Sequence, residues 1–186
     1  KDGQDKLSKI VEADETYIGG RAHGKRGRGA ANKTPVVTLV QRDGEARSQV
    51  MHHVTGKNIK EVLQAEAAAD VILITDELNV YTELGKDFAA HATVTHGEGE
   101  YARTEDIDGQ TIRVHTNTAE GFFSQLKRSI DGTHHHVSAY HLHRYVAEFD
   151  YRYSTRKMKD GERTVRMIQQ TAGKRLRYQE SISAQR

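Results

Sequence analysis

The sequence has 186 residues, enough for one domain with a buried core and a short appendage. It contains no cysteine, which excludes a disulfide framework and a thiolate zinc site, and no apolar run reaches the roughly 20 residues that a membrane-spanning helix needs. The formal net charge of +2 is too small to indicate a partner by itself.

The first fifty residues predict an antiparallel meander. Residues 10–20 form a strand-like run, and residues 35–40 and 46–54 form two more, separated by the turn residues Arg42-Asp43-Gly44. Residues 21–34 are rich in glycine and basic side chains and lack apolar periodicity, so we expect a flexible loop between the first two strands.

The rest of the chain predicts alternating helices and strands and then helices alone. Thr55 is a candidate N-cap for the first helix, and the apolar strand after it is expected to be buried on both faces. The predicted elements are a helix over 57–69, a strand over 71–76, a helix over 79–86, a strand over 91–96, a polar loop over 97–113, and helices over about 118–130, 138–153 and 161–172.

This order of elements predicts an α/β fold in which a mixed sheet, made of a three-strand meander and parallel strands, is flanked by helices. That arrangement is typical of the RNase H-like fold. We expect a catalytic domain over residues 8–157 and a C-terminal helical extension and tail over 158–186.

Three acids stand where such a fold can bring carboxylates together. Asp14 lies in the first strand, Asp76 ends the apolar strand, and Glu120 stands near the start of a helix. Acids from two strands and one helix can converge on divalent cations for phosphoryl transfer. We therefore take these three residues as candidate catalytic metal ligands.

Each acid also has a competing interpretation. Strand alternation places Asp14 and Glu15 on opposite faces, so a change of register by one residue would exchange them. Asp76 could cap the helix that follows it. Asn117 and Glu120 fit a capping box, in which Asn117 is the N-cap and Glu120 reaches back to its backbone. The residues alone leave these alternatives open.

Basic side chains suit a polyanionic substrate. Lys127 follows Glu120 by seven residues, nearly two helical turns, so both lie on one polar stripe of the helix. Such a pair suits a metal ligand and a phosphate contact. Basic residues also crowd the segments 21–33 and 152–177, although most such clusters are solvated surface. Nucleic-acid chemistry is the leading hypothesis.

Longer patterns surround each acid. They are EADETYIGG over residues 12–20, TDE over 75–77 and HTNTAEGFFSQLKR over 115–128, followed by GTHHHVS over 132–138 and a helical segment over 141–153. In order and spacing, residues 10–155 resemble the bacterial insertion-sequence DDE transposases of the ISXO-like group.

The resemblance implies an RNase H-like domain in which Asp14, Asp76 and Glu120 hold two divalent metal ions, Mg²⁺ or Mn²⁺. Lys127 would contact DNA. The third acid can be asparagine in this group, which makes Asn117 the alternative to Glu120. Further candidates are Arg128, Arg152 and Arg156 for DNA phosphates, and His96 and His115 for positioning the nucleophile.

The implied activity is that of a transposase that cleaves DNA strands and joins them to a target. We expect double-stranded DNA as the partner, both transposon ends and target, with a homodimer assembled on the DNA. A bacterial cytoplasmic, nucleoid-associated location without a membrane partner follows from this. The alternatives are an RNase H-like nuclease or resolvase that cuts without joining, and a DNA-binding relic whose site has decayed.

Overall fold

The computed structural model describes residues 5–20, 32–77 and 79–174, without the side chains of Asn79, Val80, Thr82 and Glu98. Most of the predicted basic loop and the end of the chain lie outside the described residues. The chain divides into two compact units, residues 1–154 and 155–186.

A five-stranded mixed sheet is the centre of the first unit. Its strands are β1 (Ile10–Ile18), β2 (Thr34–Gln41), β3 (Ala46–Val50), β4 (Ile72–Asp76) and β5 (Ala90–Val94). Their order across the sheet is β3-β2-β1-β4-β5. The first three strands pair antiparallel, whereas β4 runs parallel to both β1 and β5. Together with the helices described next, this confirms the predicted RNase H-like arrangement.

Helices cover both faces of the sheet because its strands carry apolar side chains on both sides. The helices of this unit are α1 (Gly56–Glu66), α2 (Asn79–Leu84), α3 (Asn117–Ser129) and α4 (Leu142–Ser154). One core layer joins Val11 and Ala13 of β1 to Ile59 of α1 and Tyr81 of α2. The other layer joins strand residues to side chains that include Phe122 of α3 and Val146 of α4. Alternating strand residues therefore sort the helices into two layers.

The described helix starts and strand ends agree with the predictions to within a few residues. The side chain of Thr55 caps α1 as predicted, accepting a hydrogen bond from Asn58 N–H at 3.3 Å. The third strand ends at Val50 rather than at residue 54, and α4 begins at Leu142 rather than at residue 138.

The prediction of a polar loop over residues 97–113 is wrong for its second half. Residues 103–107 and 110–114 form the hairpin strands β6 (Arg103–Ile107) and β7 (Gln110–Val114). Asp108 and Gly109 between them have φ values of +51° and +75°, the backbone of a two-residue turn that suits the strand twist. Ile112 and Val114 are buried against β4 and β5, which holds the hairpin on the domain.

Helix α4 lies along the edge strand β3. The Asp150 carboxylate accepts hydrogen bonds from the backbone N–H and the hydroxyl of Ser48, both at 2.7 Å. Ser154 Oγ accepts a hydrogen bond from Ala46 N–H at 3.0 Å. Side chains of the helix thus pair with backbone groups that an edge strand otherwise presents to solvent.

The second unit contains the helix α5 (Asp160–Thr171). Val165, Met167 and Ile168 of this helix are exposed. Across the described part of the chain, no helix combines the length and the apolar composition that crossing a bilayer requires.

Candidate functional site

The site lies where the parallel strands β1 and β4 carry their acids. Ala13 of β1 pairs in register with Thr75 of β4, so Asp14 and Asp76 follow at the same level of the sheet. Asp76 is the last residue of β4, and the carboxyl ends of parallel strands are where α/β proteins place ligands, whereas Asp14 lies in the middle of β1. The two aspartates predicted from the sequence are therefore neighbours.

A third carboxylate joins these aspartates, and it belongs to Glu15. One oxygen from each of Asp14, Glu15 and Asp76 lies within 4.8 Å of the other two. The Tyr81 hydroxyl of α2 donates a hydrogen bond to Glu15 Oε2 at 3.3 Å. Burial and these surrounding acids raise the pKa of Tyr81, so its hydroxyl keeps its proton. Asp14 and Glu15, which the sequence offered as alternatives, therefore both belong to one group of carboxylates.

Crowding of negative charge changes the protonation of Asp14. Burial, and then repulsion from Asp76, raise the pKa of the Asp14 carboxyl to about 8. A hydrogen bond from Glu15 N–H at 2.7 Å acts in the opposite direction, while the charges of Glu15 and Glu120 add to the rise. A bound cation would lower the pKa of Asp14, since it stabilises the ionised carboxylate.

The strand end that bears Asp76 is anchored by a buried hydroxyl. Thr75 is fully buried, and its Oγ1 donates to the Asp76 carbonyl at 2.9 Å. His91 Nε2 of β5 lies 2.9 Å from the same hydroxyl, and burial lowers the pKa of this histidine. The hydroxyl of Thr75 therefore links the end of β4 to the neighbouring strand β5.

The N-terminus of α3 places Glu120 beside this group. The alternative capping box is not formed: Thr116 is the N-cap residue, Asn117 is already helical, and the side chain of Thr116 makes no capping hydrogen bond. The backbone donors are taken instead by Glu12 of β1. Its Oε2 accepts hydrogen bonds from Thr118 N–H at 2.8 Å and from Ala119 N–H at 3.0 Å.

Glu120 is the outermost of the predicted acids. Its side chain is 51% exposed, and Oε1 lies 3.3 Å from His96 Nε2. Among the described residues it does not belong to the 4.8 Å carboxylate group, yet its charge contributes to the raised pKa of Asp14. His96 also lies 3.0 Å from Thr116 Oγ1, so this predicted accessory histidine contacts the start of α3.

His115, the second predicted accessory histidine, lies at a different place. Its Nδ1 is 3.3 Å from Glu12 Oε1 without hydrogen-bond geometry. Burial, and then the charge of Arg42, lower the pKa of His115, so its ring is neutral near pH 7. His115 therefore borders the buried Glu12 carboxylate rather than the acid group.

Lys127 supplies positive charge near Asp14, and Lys33 lies near Lys127. Partial burial, and then the nearby Lys33, lower the pKa of Lys127, whereas the charge of Asp14 raises it. Lys127 on α3 therefore lies within electrostatic reach of both Lys33 and Asp14. Lys33 precedes β2 and belongs to the basic segment noted in the sequence.

The three predicted arginines belong to different parts of the chain. Arg128 is exposed on α3. Arg152 lies 3.8 Å from Glu148 on α4 and lines a small pocket with His134 and Tyr145. Arg156 belongs to the second unit. Of the predicted cations, Lys127 has the clearest relation to the acids.

The carboxylate oxygens of this group suit a hard divalent cation. Mg²⁺ and Mn²⁺ prefer carboxylate oxygens and bind through one or a few of them, with water completing the shell. Asp14, Glu15 and Asp76 provide three such oxygens, and Glu120 offers a fourth carboxylate from α3. The residues therefore fit the metal chemistry that the sequence predicts.

Sequence reasoning missed two participants. The sequence presents Glu15 only as a rival of Asp14, because strand alternation gives the two residues opposite faces. It indicates no role for Glu12, although an acid in a strand between Val11 and Ala13 is unfavourable without a partner. That rule was the available signal, but it does not identify the partner.

Comparison with protein families gives one match. Residues 6–154 match the family model described as ISXO2-like transposase domain, and this segment holds all the acids and lysines described above. The comparisons with curated proteins and with solved structures each return no significant match.

Proposed function

The chain belongs to the ISXO2-like transposase domain family, as its motifs predicted, and on this premise we propose that it cleaves DNA strands and joins them to a target with the help of divalent metal ions. The observation that carries the proposal is the group of three carboxylates on β1 and at the end of β4, in which the pKa of Asp14 is raised to about 8. Such crowding stabilises a folded protein poorly and suits a site meant for a cation.

Asp14, Asp76 and Glu120 are the proposed metal ligands, with Glu15 as an additional donor. Two Mg²⁺ or Mn²⁺ ions held there would supply activation of a water or a DNA 3′-hydroxyl and stabilisation of the leaving oxygen. The protein's own part is to fix the acids: Thr75 anchors the strand end of Asp76, and Tyr81 orients Glu15. His96, 3.3 Å from Glu120, restrains the third ligand.

Double-stranded DNA is the proposed substrate, both as transposon end and as target. Lys127 lies within electrostatic reach of Asp14, Lys33 lies near Lys127, and the two would hold the phosphates that flank the reacting one. Arg128, Arg152 and Arg156 are proposed as further phosphate contacts. We propose a homodimer as the assembly that acts on paired DNA ends.

The test is cleavage and joining of DNA by the purified chain. A labelled duplex carrying the end sequence of the element is incubated with a supercoiled plasmid and Mg²⁺ or Mn²⁺. We expect metal-dependent nicking and labelled joined products with the unaltered chain, and neither product with Asp14→Asn or Asp76→Asn. The matched control is Asp87→Asn, because this acid pairs with Lys60 and Gln64 instead.

Two outcomes contradict the proposal in different ways. Metal-dependent cuts without joined products would identify a nuclease. Cleavage that survives Asp14→Asn would remove this carboxylate group from the chemistry altogether.

A further inference from the structure

We propose that Glu12 is a positioning residue that sets the place of Glu120 relative to Asp14. The inference deepens the proposed function and rests on it. Glu12 stands two residues before Asp14 on the same face of β1, and it binds the first turn of the helix that carries Glu120. One side chain therefore connects the elements that bear the first and third acids.

The Glu12 carboxylate is fully buried and well supplied with donors. Oε2 accepts hydrogen bonds from the backbone N–H groups of Thr118 and Ala119, and Oε1 accepts one from Thr118 Oγ1 at 2.8 Å. Arg42 Nε donates to the same Oε1 at 2.7 Å. Buried carboxylates are stable only when such partners satisfy them.

The contact between Glu12 and α3 lies within two residues of both Asp14 and Glu120, so it fixes their relative position. The clamped amides belong to the two residues just before Glu120, and the clamping side chain is one strand repeat from Asp14. A shift of the α3 N-terminus along or away from β1 would therefore move Glu120 by nearly the same amount. The helix dipole favours an anion at this place, which strengthens the contact.

We call the contact of Glu12 with the amides of Thr118 and Ala119 the clamp, and Arg42 supports it by binding both Glu12 and the segment before α3. While Nε donates to Glu12, Nη1 donates to the Arg113 carbonyl at 2.6 Å and Nη2 to the His115 carbonyl at 3.0 Å. These carbonyls belong to the end of β7 and the connection into α3. The guanidinium thus holds the entry to the helix while the carboxylate holds its first turn.

A cap that only stabilises the fold makes a different prediction from a positioning residue. Loss of a stabilising cap lowers the free energy of unfolding but leaves the metal requirement of the folded fraction unchanged. Loss of a residue that orients a metal ligand typically weakens metal binding or activity by roughly 10- to 100-fold. The metal requirement therefore separates the two roles.

The experiment compares Glu12→Gln with Asp150→Asn, at a temperature at which both variants are folded. The two substitutions are matched, because Asp150 also accepts backbone N–H and hydroxyl hydrogen bonds, but it joins α4 to β3. The readouts are the Mn²⁺ concentration for half-maximal DNA cleavage, direct binding of Mn²⁺ alone, and hydrogen exchange at the amides of Thr118 and Ala119.

For Glu12→Gln we expect a Mn²⁺ requirement raised roughly 10- to 100-fold and faster exchange at both amides, with kcat at saturating Mn²⁺ reduced less. Asp150→Asn should keep the Mn²⁺ requirement of the unaltered chain. Should Glu12→Gln fail to fold, Arg42→Lys removes the fork to the two carbonyls and is expected to raise the Mn²⁺ requirement in the same direction.

An unchanged Mn²⁺ requirement in the folded Glu12→Gln protein would overturn the positioning role and leave the proposed function intact. The Asp14→Asn variant tests the proposed function separately from the role of Glu12. Metal-dependent cleavage that persists in that variant contradicts the proposed function, whereas amide exchange and Mn²⁺ binding in Glu12→Gln still decide on the clamp.

Discussion

Glu12 and Asp14 are two acids on one face of one strand, and they have opposite surroundings. Glu12 is fully buried and accepts four hydrogen bonds, one of them from a guanidinium. Among the described residues, Asp14 accepts one, from the backbone N–H of Glu15, and it faces other carboxylates. The donors of the protein satisfy the first acid, while the second is surrounded by charge of its own sign.

This difference separates structural from chemical use of the same functional group. A carboxylate whose lone pairs are filled by the protein holds two elements together and has little capacity left for a ligand. A carboxylate crowded by others is destabilising until a cation arrives. The strand thus carries an anchor and a candidate ligand only two residues apart.

The largest expected effect comes from removing the crowded acid. Asp14→Asn should lower metal-dependent cleavage on the order of a thousandfold, since a metal site supplies several kcal/mol of charge stabilisation to the transition state. Despite this loss, the metal-free variant should unfold at a urea concentration no lower than that of the unaltered chain. Cleavage assays and urea titrations followed by circular dichroism measure the two quantities. A clear loss of stability would erase the contrast with Glu12.

Removing Glu12, whose carboxylate is satisfied by hydrogen bonds, should instead lower the free energy of unfolding. Glu12→Ala leaves Arg42 and two helix amides without their acceptor, and breaking a buried ion pair from one side costs roughly 3–5 kcal/mol. We expect a loss of this size in the free energy of unfolding, measured by urea titration. Substituting both Glu12 and Arg42 by apolar residues should cost less than the two single losses added together. Additive losses would show that the two side chains act independently.

The next effect is a pH dependence of the metal-free protein. The pKa of Asp14 is raised to about 8 in the folded chain, above the roughly 3.9 of an unfolded aspartate, so the folded state holds this proton more tightly. Its stabilising contribution is complete below pH 4 and is lost as the pH rises towards 8. The loss should be about 1–3 kcal/mol, less than a full conversion of the shift, because neighbouring acids titrate together.

Thermal or urea unfolding at several pH values between 5 and 8 measures this slope, and the matched measurement uses Asp14→Asn, in which the slope should flatten. Added Mn²⁺ should displace the proton and reverse the trend. An equal slope in both proteins would assign the titration to another group.

The smallest effect concerns the cation beside the acids. Lys127→Gln should weaken duplex binding to a similar extent for all sequences and lower the salt slope of log K by about one, as expected for one lost phosphate contact. Fluorescence anisotropy at several salt concentrations measures both values. Lys86→Gln is a suitable control, because Lys86 pairs with Glu83 on the exposed surface. Equal effects of the two substitutions would place Lys127 outside the DNA interface.

Much of the fold was predictable because its signals are local or periodic. The alternation in β1, the apolar run of β4 and the helical spacing in α4 each lie within one segment. The missed β6–β7 hairpin also had a local signal, since Asp108-Gly109 is a typical two-residue turn, but the polar strands around it obscured the pattern.

The site was less predictable because its decisive contacts are distant in sequence. A local rule offered Asn117 as a cap of α3, but the amide of Thr118 is bound by the Glu12 carboxylate, 106 residues away. The same holds for Glu15, whose partner Tyr81 lies 66 residues away. Periodicity identifies the face of a residue, whereas its partner depends on how the elements pack.

The α4 side chains on β3 also limit how copies of this domain can associate. With Ala46 N–H and Ser48 N–H bonded to Ser154 and Asp150, this margin of the sheet offers an incoming strand few open donors. Continuous sheets across two molecules are therefore disfavoured along β3. An incoming strand would meet the side chains of α4 there rather than an open row of backbone groups.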